Sequence, residues 1–188
     1  MISEIRVIKS LSEIDKDDWN TVAAVGNFDG VHLGHQKIIE QAKMLAKRLG
    51  TVPSILTFEP HPRVLFQTDG IPFRLSTSAS KALALSTLGI ELIFELQFDK
   101  SFAQLSAEDF VVRVLKENLR LQHVVCGYDF VFGHRRRGTA EILENLAMQV
   151  DIGVTIIPAV AEKDGAVYSS TRVRQCLAEG DPVGASEL

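Results

Sequence analysis

The chain has 188 residues, a net charge of −4 and a pI near 5.7. That length suits one domain with its own core, and 46 % hydrophobic with 23 % charged residues is the make-up of a folded globular chain, not a disordered one. The acidic balance argues against a dedicated nucleic-acid binder, and with a mean hydropathy of +0.11 no apolar run approaches the roughly 18 residues of a membrane span.

Cys126 and Cys176 form neither a metal spacing nor a disulfide framework. The N-terminus lacks the apolar stretch of a signal peptide, so the expected location is the cytoplasm. Along the chain, apolar runs alternate with helical patterns. Thr21–Val25 predicts a buried strand ending at Gly26. Ile38, Ile39, Ala42, Leu45, Ala46 and Leu49 then mark one helix face, with Gly50 at the C-terminal cap. Ser54–Phe58 is a second strand, stopped by Pro60 and Pro62. Ser78 to Leu88 has helical spacing and ends at Gly89, and Glu91–Phe98 is a third strand.

Ser106 with Asp109 forms a capping box for a helix carrying Phe110, Val111, Val114 and Leu115. His123–Gly127 is a fourth strand, followed by an Arg-rich loop to Gly138. Thr139 caps the next helix, and Val154–Pro158 is a fifth strand. Asp164-Gly165 signals a tight turn, with Val167–Tyr168 as a short return strand. Ser169 or Ser170 caps a last helix that stops near Gly180, with Pro182 beyond. This order predicts an α/β fold, a Rossmann-like doubly wound parallel sheet whose ligands sit at the carboxyl ends of the strands.

The unusual residues fall at those ends. Gly26-Asn27-Phe28-Asp29-Gly30-Val31-His32-Leu33-Gly34-His35 runs from a strand into a helix. A helix start favours phosphate. Gly34 permits close backbone approach, and His32 and His35 add donors. Either histidine alone is as readily a turn residue, and a metal pair lacks the ligand spacing. Ser170, Thr171 and Arg174 at the last helix start can converge on phosphates, although plain capping explains a serine there equally well. Arg172 points to another face and is expected toward solvent. The basic run His134–Arg137 lies beside this presumed polyphosphate site, where Arg136 can screen charge; Gly133 and Gly138 suggest a movable loop.

The string Gly-Asn-Phe-Asp-Gly-Val-His-Leu-Gly-His-Gln resembles the start of the adenylyltransferase module of the bacterial FAD synthetase family, within the nucleotidyltransferase superfamily. Leu56–Pro62 (Leu-Thr-Phe-Glu-Pro-His-Pro), Gly127–Gly133 with Arg136 and Gly138, and Ser169–Arg174 (Ser-Ser-Thr-Arg-Val-Arg) resemble its further motifs in the expected order. The resemblance covers about residues 20 to 188 and implies transfer of AMP from ATP to FMN, giving FAD and pyrophosphate. It implies His32, His35, Ser170, Thr171 and Arg174 as catalytic, and Gly26, Asn27, Phe28, Asp29, Gly34 and Arg136 as the ATP site. Pro60, His61, Pro62, Asp129, Phe130 and Phe132 would meet the flavin, although at least one of the aromatics should be plain core and His61 can be an exposed loop residue.

With no nucleophile–base pair in view, direct in-line attack is expected, with Mg²⁺ bridging phosphate oxygens. The partners would be small molecules only, with no nucleic acid and no membrane. Residues 1–188 would form this single domain without the family's riboflavin kinase module, so riboflavin itself should not be phosphorylated. Two alternatives stand: another phosphorylated acceptor, such as phosphopantetheine or glycerol phosphate, and a non-catalytic flavin-nucleotide binding module.

Overall fold

A computed structural model describes residues 5–66, 74–161 and 165–188. Among them the apolar runs form one six-stranded sheet: β1 (Arg6–Ile8), β2 (Val22–Val25), β3 (Pro53–Glu59), β4 (Leu92–Gln97), β5 (His123–Gly127) and β6 (Gly153–Ile157). Their order is β1-β4-β3-β2-β5-β6, and every pairing is parallel.

A parallel sheet needs cover on both faces, which is why its strands are almost continuously apolar. The period of two still sorts their side chains. Val22, Ala24, Ile55, Ile93 and Val125 face α1 (Leu33–Leu49) and α3 (Ser78–Thr87), meeting Ile39, Ala42, Leu45 and Leu85. Ala23, Val25, Leu56, Phe58, Phe94, Val124 and Cys126 face the other way. There they meet a π-helical stretch, Phe110–Asn118, that continues α4 (Ala107–Asp109), and α5 (Ala140–Met148). Cys126 is core, as expected, and burial, with Asp129 nearby, pushes its thiol up to about 12.

Local chemistry sets the helix ends. Gly50 takes the left-handed conformation and its N–H bonds the carbonyls of Ala46 and Lys47. Ser106 accepts from the Asp109 N–H at 2.9 Å, and Thr139 caps α5. Ser169, not Ser170, caps α6 (Ser170–Ala178), accepting from the Arg172 N–H at 3.3 Å.

Three expectations are corrected. β1 is an added edge strand, too short for its period to show in sequence. Val167–Tyr168 makes no return strand but a single antiparallel bridge, Ala161 to Val167; of the expected turn before it, Asp164 lies outside the described residues and Gly165 is left-handed. α6 stops before Gly180 as expected but is not the last helix, because Pro182 does not end helical structure. It opens α7 (Pro182–Ser186), where its missing N–H costs nothing and Asp181 caps Gly184 N–H at 2.8 Å.

The chain leaves β2 toward β3 and β4 on one side, then returns to place β5 and β6 on the other. The strand order therefore reverses between β2 and β5, and the crevice at their carboxyl ends is where such sheets bind ligands.

Candidate active site

The loop from β2 into α1 is held tightly. Phe28, Gly30 and Val31 all have positive φ (48°, 82° and 45°), a strained choice for β-branched Val31. Phe28, expected at ATP, is fully buried in the core with its ring 5.1 Å from that of His35. Gly26 and Asn27 are half-buried at the strand end, and the Asn27 carbonyl accepts from Thr57 Oγ1 at 3.1 Å.

His32 is the N-cap of α1 and His35 lies in its first turn, so the two rings stack face to face, 3.6 Å between centroids. His32 makes no capping hydrogen bond. Both Nδ1 atoms are buried with no hydrogen-bond partner among the described residues. Such orphaned polar atoms are costly in an interior unless a ligand or water completes them. Burial pushes His32 down to about 4, against the pull of Asp129 and Asp29. His35 is held well below its ordinary value by burial first, then by His32 and Lys81. Both rings are therefore neutral at pH 7, each with a single N–H to give. Gly34 leaves room for this stack: a Cβ there would stand a tight 3.1 Å from the His32 ring and 3.3 Å from the Tyr168 carbonyl. One first-turn amide is already used, since Leu33 N–H bonds the Leu188 carbonyl at 2.6 Å.

Asp29, expected at ATP, is instead a buried hub. Its carboxylate accepts from Leu75 N–H, Ser76 N–H and Ser76 Oγ at 2.9–3.1 Å and pairs with Arg174. Burial alone would raise its pKa, but those hydrogen bonds and the guanidinium outweigh it and hold it below the usual carboxylate range. Ser170 Oγ donates to the Asp29 carbonyl at 2.8 Å. Ser170 and Arg174, expected on phosphate, thus tie α6 to the first loop, with one guanidinium arm committed to Asp29. Thr171 is exposed at the start of α6. Arg172, expected toward solvent, is half-buried and donates to the carbonyls of Ala166 and Val167.

At the end of β3, Pro60 and Pro62 are half-buried and Pro62 opens α2 (Pro62–Phe66). His61 is not an exposed loop residue. It is buried, and its Nδ1 accepts from Arg63 N–H at 3.1 Å, which places the ring proton on Nε2. Burial holds it down to about 4, with Asp29 and Arg174 both close enough to act on it.

At the end of β5, Asp129 is exposed and its charge acts on His32. Phe130 is half-buried, stacked 5.5 Å from Phe132. Phe132, expected at the flavin, is core: it packs on Phe110 at 5.2 Å and covers Gly138, where a Cβ would meet its ring at 2.6 Å. Arg136 is exposed. The glycine brackets serve close packing rather than loop movement. Gly133 lies against Ala107, and His134 N–H bonds the Leu105 carbonyl at 2.6 Å. All four motifs therefore meet around the switch point, three through Asp29 and the third through Asp129 beside His32.

A family model described as FAD synthetase matches residues 14–172. This chain belongs to the FAD synthetase family. A bifunctional riboflavin kinase/FMN adenylyltransferase of Pseudomonas fluorescens is 36 % identical over 178 residues, 94 % of this chain and 56 % of that protein. The chain spans a little over half the length of the curated relatives it matches. A crystal structure titled macrolide-efflux protein, from Streptococcus pneumoniae, is 30 % identical with a TM-score of 0.84, covering all of this chain and 61 % of that one. Pantoate-beta-alanine ligase of Francisella tularensis, at 12 % identity and a TM-score of 0.63, covers 92 % of this chain and 73 % of its own and shares the fold.

The family's motifs leave out the residues that brace the site. Leu75 and Ser76 hold Asp29, and Lys81 is buried on α3 with its Nζ on Thr57 Oγ1. The readable signal for Lys81 was its place four residues before Leu85, on the buried face of the helix. Among the described residues no three His, Cys, Asp or Glu side chains gather to hold a metal.

Proposed function

We propose that this crevice transfers AMP from ATP to FMN. A phosphate oxygen of FMN attacks the α-phosphorus of ATP, the bond to the β-phosphate breaks, and FAD and pyrophosphate leave. The observation that carries the reading is the stacked His32–His35 pair. Its two buried nitrogens, unpartnered among the described residues, stand at a helix N-terminus, at the switch point, in a chain of the FAD synthetase family.

No covalent intermediate is needed, so the protein's work is alignment and charge stabilisation. His32 and His35 each offer one N–H to the polyphosphate. An arriving anion favours the protonated rings and draws their pKa upward. Arg174, anchored on Asp29, adds positive charge beside the polyphosphate, and Thr171 with the α6 amides supplies a second anion-friendly helix start. Ser170 acts by holding that start on the first loop. Arg136 screens phosphate charge from the loop after β5. Asp129 and Phe130, with Pro60, His61 and Pro62 across the crevice, receive the flavin end.

Mg²⁺ enters as part of MgATP, held mainly by phosphate oxygens and water, as this reluctantly dehydrated ion prefers. Residues 1–188 act as the adenylyl-transfer domain, in the cytoplasm and on small molecules. No helix among the described residues is long and apolar enough to cross a membrane.

The test is FAD formation by the purified chain from FMN, ATP and Mg²⁺, followed by chromatography with pyrophosphate release measured in parallel. One FAD per pyrophosphate is expected. Tight FAD binding without turnover, or product only with another phosphorylated acceptor, overturns the reading.

A further inference from the structure

Lys81 has no explanation in packing. It is 3 % exposed, on the face of α3 that also buries Leu85. An ammonium in such a place pays a large desolvation cost, which a methionine of similar length would avoid. Its one hydrogen bond among the described residues runs from Nζ to Thr57 Oγ1, at 3.3 Å. Thr57 does not need it. The threonine hydroxyl is already satisfied by donating to the Asn27 carbonyl at 3.1 Å, and both Lys81 and Thr57 are sealed from solvent.

The direction of the two bonds is informative. Lysine only donates, so Thr57 must accept from Lys81, and its own proton then points at Asn27. The result is a one-way relay from α3, through the end of β3, to the backbone of the loop that carries Phe28, Asp29 and His32. Donation from a cation polarises the hydroxyl and strengthens the bond it gives in turn.

The charges around Lys81 fit a bracing role. Glu59, Glu95 and Asp29 pull its pKa up against burial, which pushes it down, while Arg74 opposes them. Glu59 is paired with Arg74, Glu95 accepts from Ser78 Oγ at 2.8 Å, and Asp29 is paired with Arg174. Each carboxylate near Lys81 thus has its own donor, and the ammonium is left to the relay. A second tether runs parallel to the first: Leu75 and Ser76, just before α3, hold the Asp29 carboxylate, and Gly30 N–H donates to Ser76 Oγ at 3.3 Å. α3 and the segment before it therefore grip the same loop at Asn27, Asp29 and Gly30.

We propose that Lys81 is a positioning residue of this site, fixing the loop after β2 through the hydroxyl of Thr57 so that His32 and His35 meet the polyphosphate in register. The role rests on the adenylyl-transfer reading for its kinetic consequence but not for its structural one.

The test is a double-mutant cycle with Lys81→Met and Thr57→Val, both close in volume to the originals, on the 188-residue chain. Each single variant should lower kcat for FAD formation about 10- to 100-fold, as misplacement of a reacting group by up to an ångström does, with KM for ATP and FMN changed less than about threefold. The double variant should be no worse than the more impaired single one, because both cut one relay. Lys81→Arg, which keeps a donor, should recover part of the rate. Additive losses, or a Lys81→Met variant with unchanged kcat, overturn the proposal.

The second readout needs no turnover. Amide signals of residues 27–30 should shift in both single variants and shift alike. Unmoved signals overturn the proposal whatever the kinetics. A wild-type chain that makes no FAD would defeat the functional reading alone, leaving this amide test to decide the role of Lys81.

Discussion

The two ends of the sheet carry similar oddities and put them to different use. At the amino end, Asn20, Arg120 and Asp151 have positive φ, and a cavity of about 480 Å³ opens between Asn20, Arg120, Gln122 and Asp151. At the carboxyl end, Phe28 and Val31 have positive φ. Strained backbone alone does not single out one end. What separates them is whether the polar atoms are satisfied. The amino-end imidazole, His123, has its Nε2 2.8 Å from Thr155 Oγ1, and the Arg120 guanidinium lies 3.9 Å over the Trp19 ring. The carboxyl-end imidazoles of His32 and His35 each keep a buried nitrogen with no partner among the described residues. Strain at the amino end is how helices and turns hand over to strands. At the carboxyl end it lies in the loop that leads into the stacked His32–His35 pair.

The largest test of that contrast compares histidines. His32→Ala should lower kcat for FAD formation by about 10²–10³, roughly 3–4 kcal/mol of transition-state stabilisation, the usual loss for one donor to developing charge. FMN affinity should change less than about threefold, since the interaction grows only as charge moves. His123→Ala should leave turnover unchanged while costing stability. Steady-state kinetics with a flavin-binding titration reads both, and equal losses of rate in the two variants would erase the distinction between the ends.

Much of this was legible in the sequence wherever the cause is local. Gly50, Ser106 and Thr139 sit at helix ends for reasons contained within five residues, and β5 was readable from His123 to Gly127 because an apolar run bounded by polar residues is enough. What the sequence did not show depends on distant partners. Asp29 looks like a ligand for a nucleotide until its carboxylate is found on Leu75 and Arg174, 46 and 145 positions away. Phe132 looks like a platform until Gly138 and Phe110 close over it. His61 gave no sign in sequence that it would be buried, because its cover comes from folding and not from its neighbours. The motif strings fall together at the carboxyl ends of the strands, while which of their residues are tied to one another needed the fold.

A smaller effect tests the same contrast by pH. His32 and His61 have folded-state pKa values of about 4, below the 6.5 of an exposed imidazole. The unfolded chain therefore takes up protons from near pH 6.5 downward, while the folded chain takes them only near pH 4. Stability is full above 6.5 and is lost as pH falls through that window. From pH 7 to pH 5 His32 and His61 should each remove about 2 kcal/mol, His35 adds loss in the same direction, and His32→Asn should recover about 2 kcal/mol of the total. Urea unfolding at the two pH values measures it. Bound polyphosphate should reverse the trend at His32, so nucleotide should bind more tightly at pH 5.5 than at pH 8. Affinity that does not change with pH would mean the anion never meets the imidazoles.

The smallest effect concerns the backbone. Asp151 follows α5 at φ 56°, where glycine is the unstrained choice and a carboxylate also opposes the negative end of the helix. Asp151→Gly should therefore raise stability by about 0.5–1 kcal/mol, with turnover unchanged, because Asp151 lies at the opposite end of the sheet from the His32–His35 pair. Val31→Gly removes a comparable strain at φ 45° but also a buried side chain, so its stability should move little. Its turnover should nevertheless fall about tenfold, since a freer loop no longer presents His32 in one place. Thermal melts and kinetics on the two variants make the comparison directly. If Val31→Gly keeps full activity, the left-handed turn before His32 is no more than a route from strand to helix, like its counterparts at the other end.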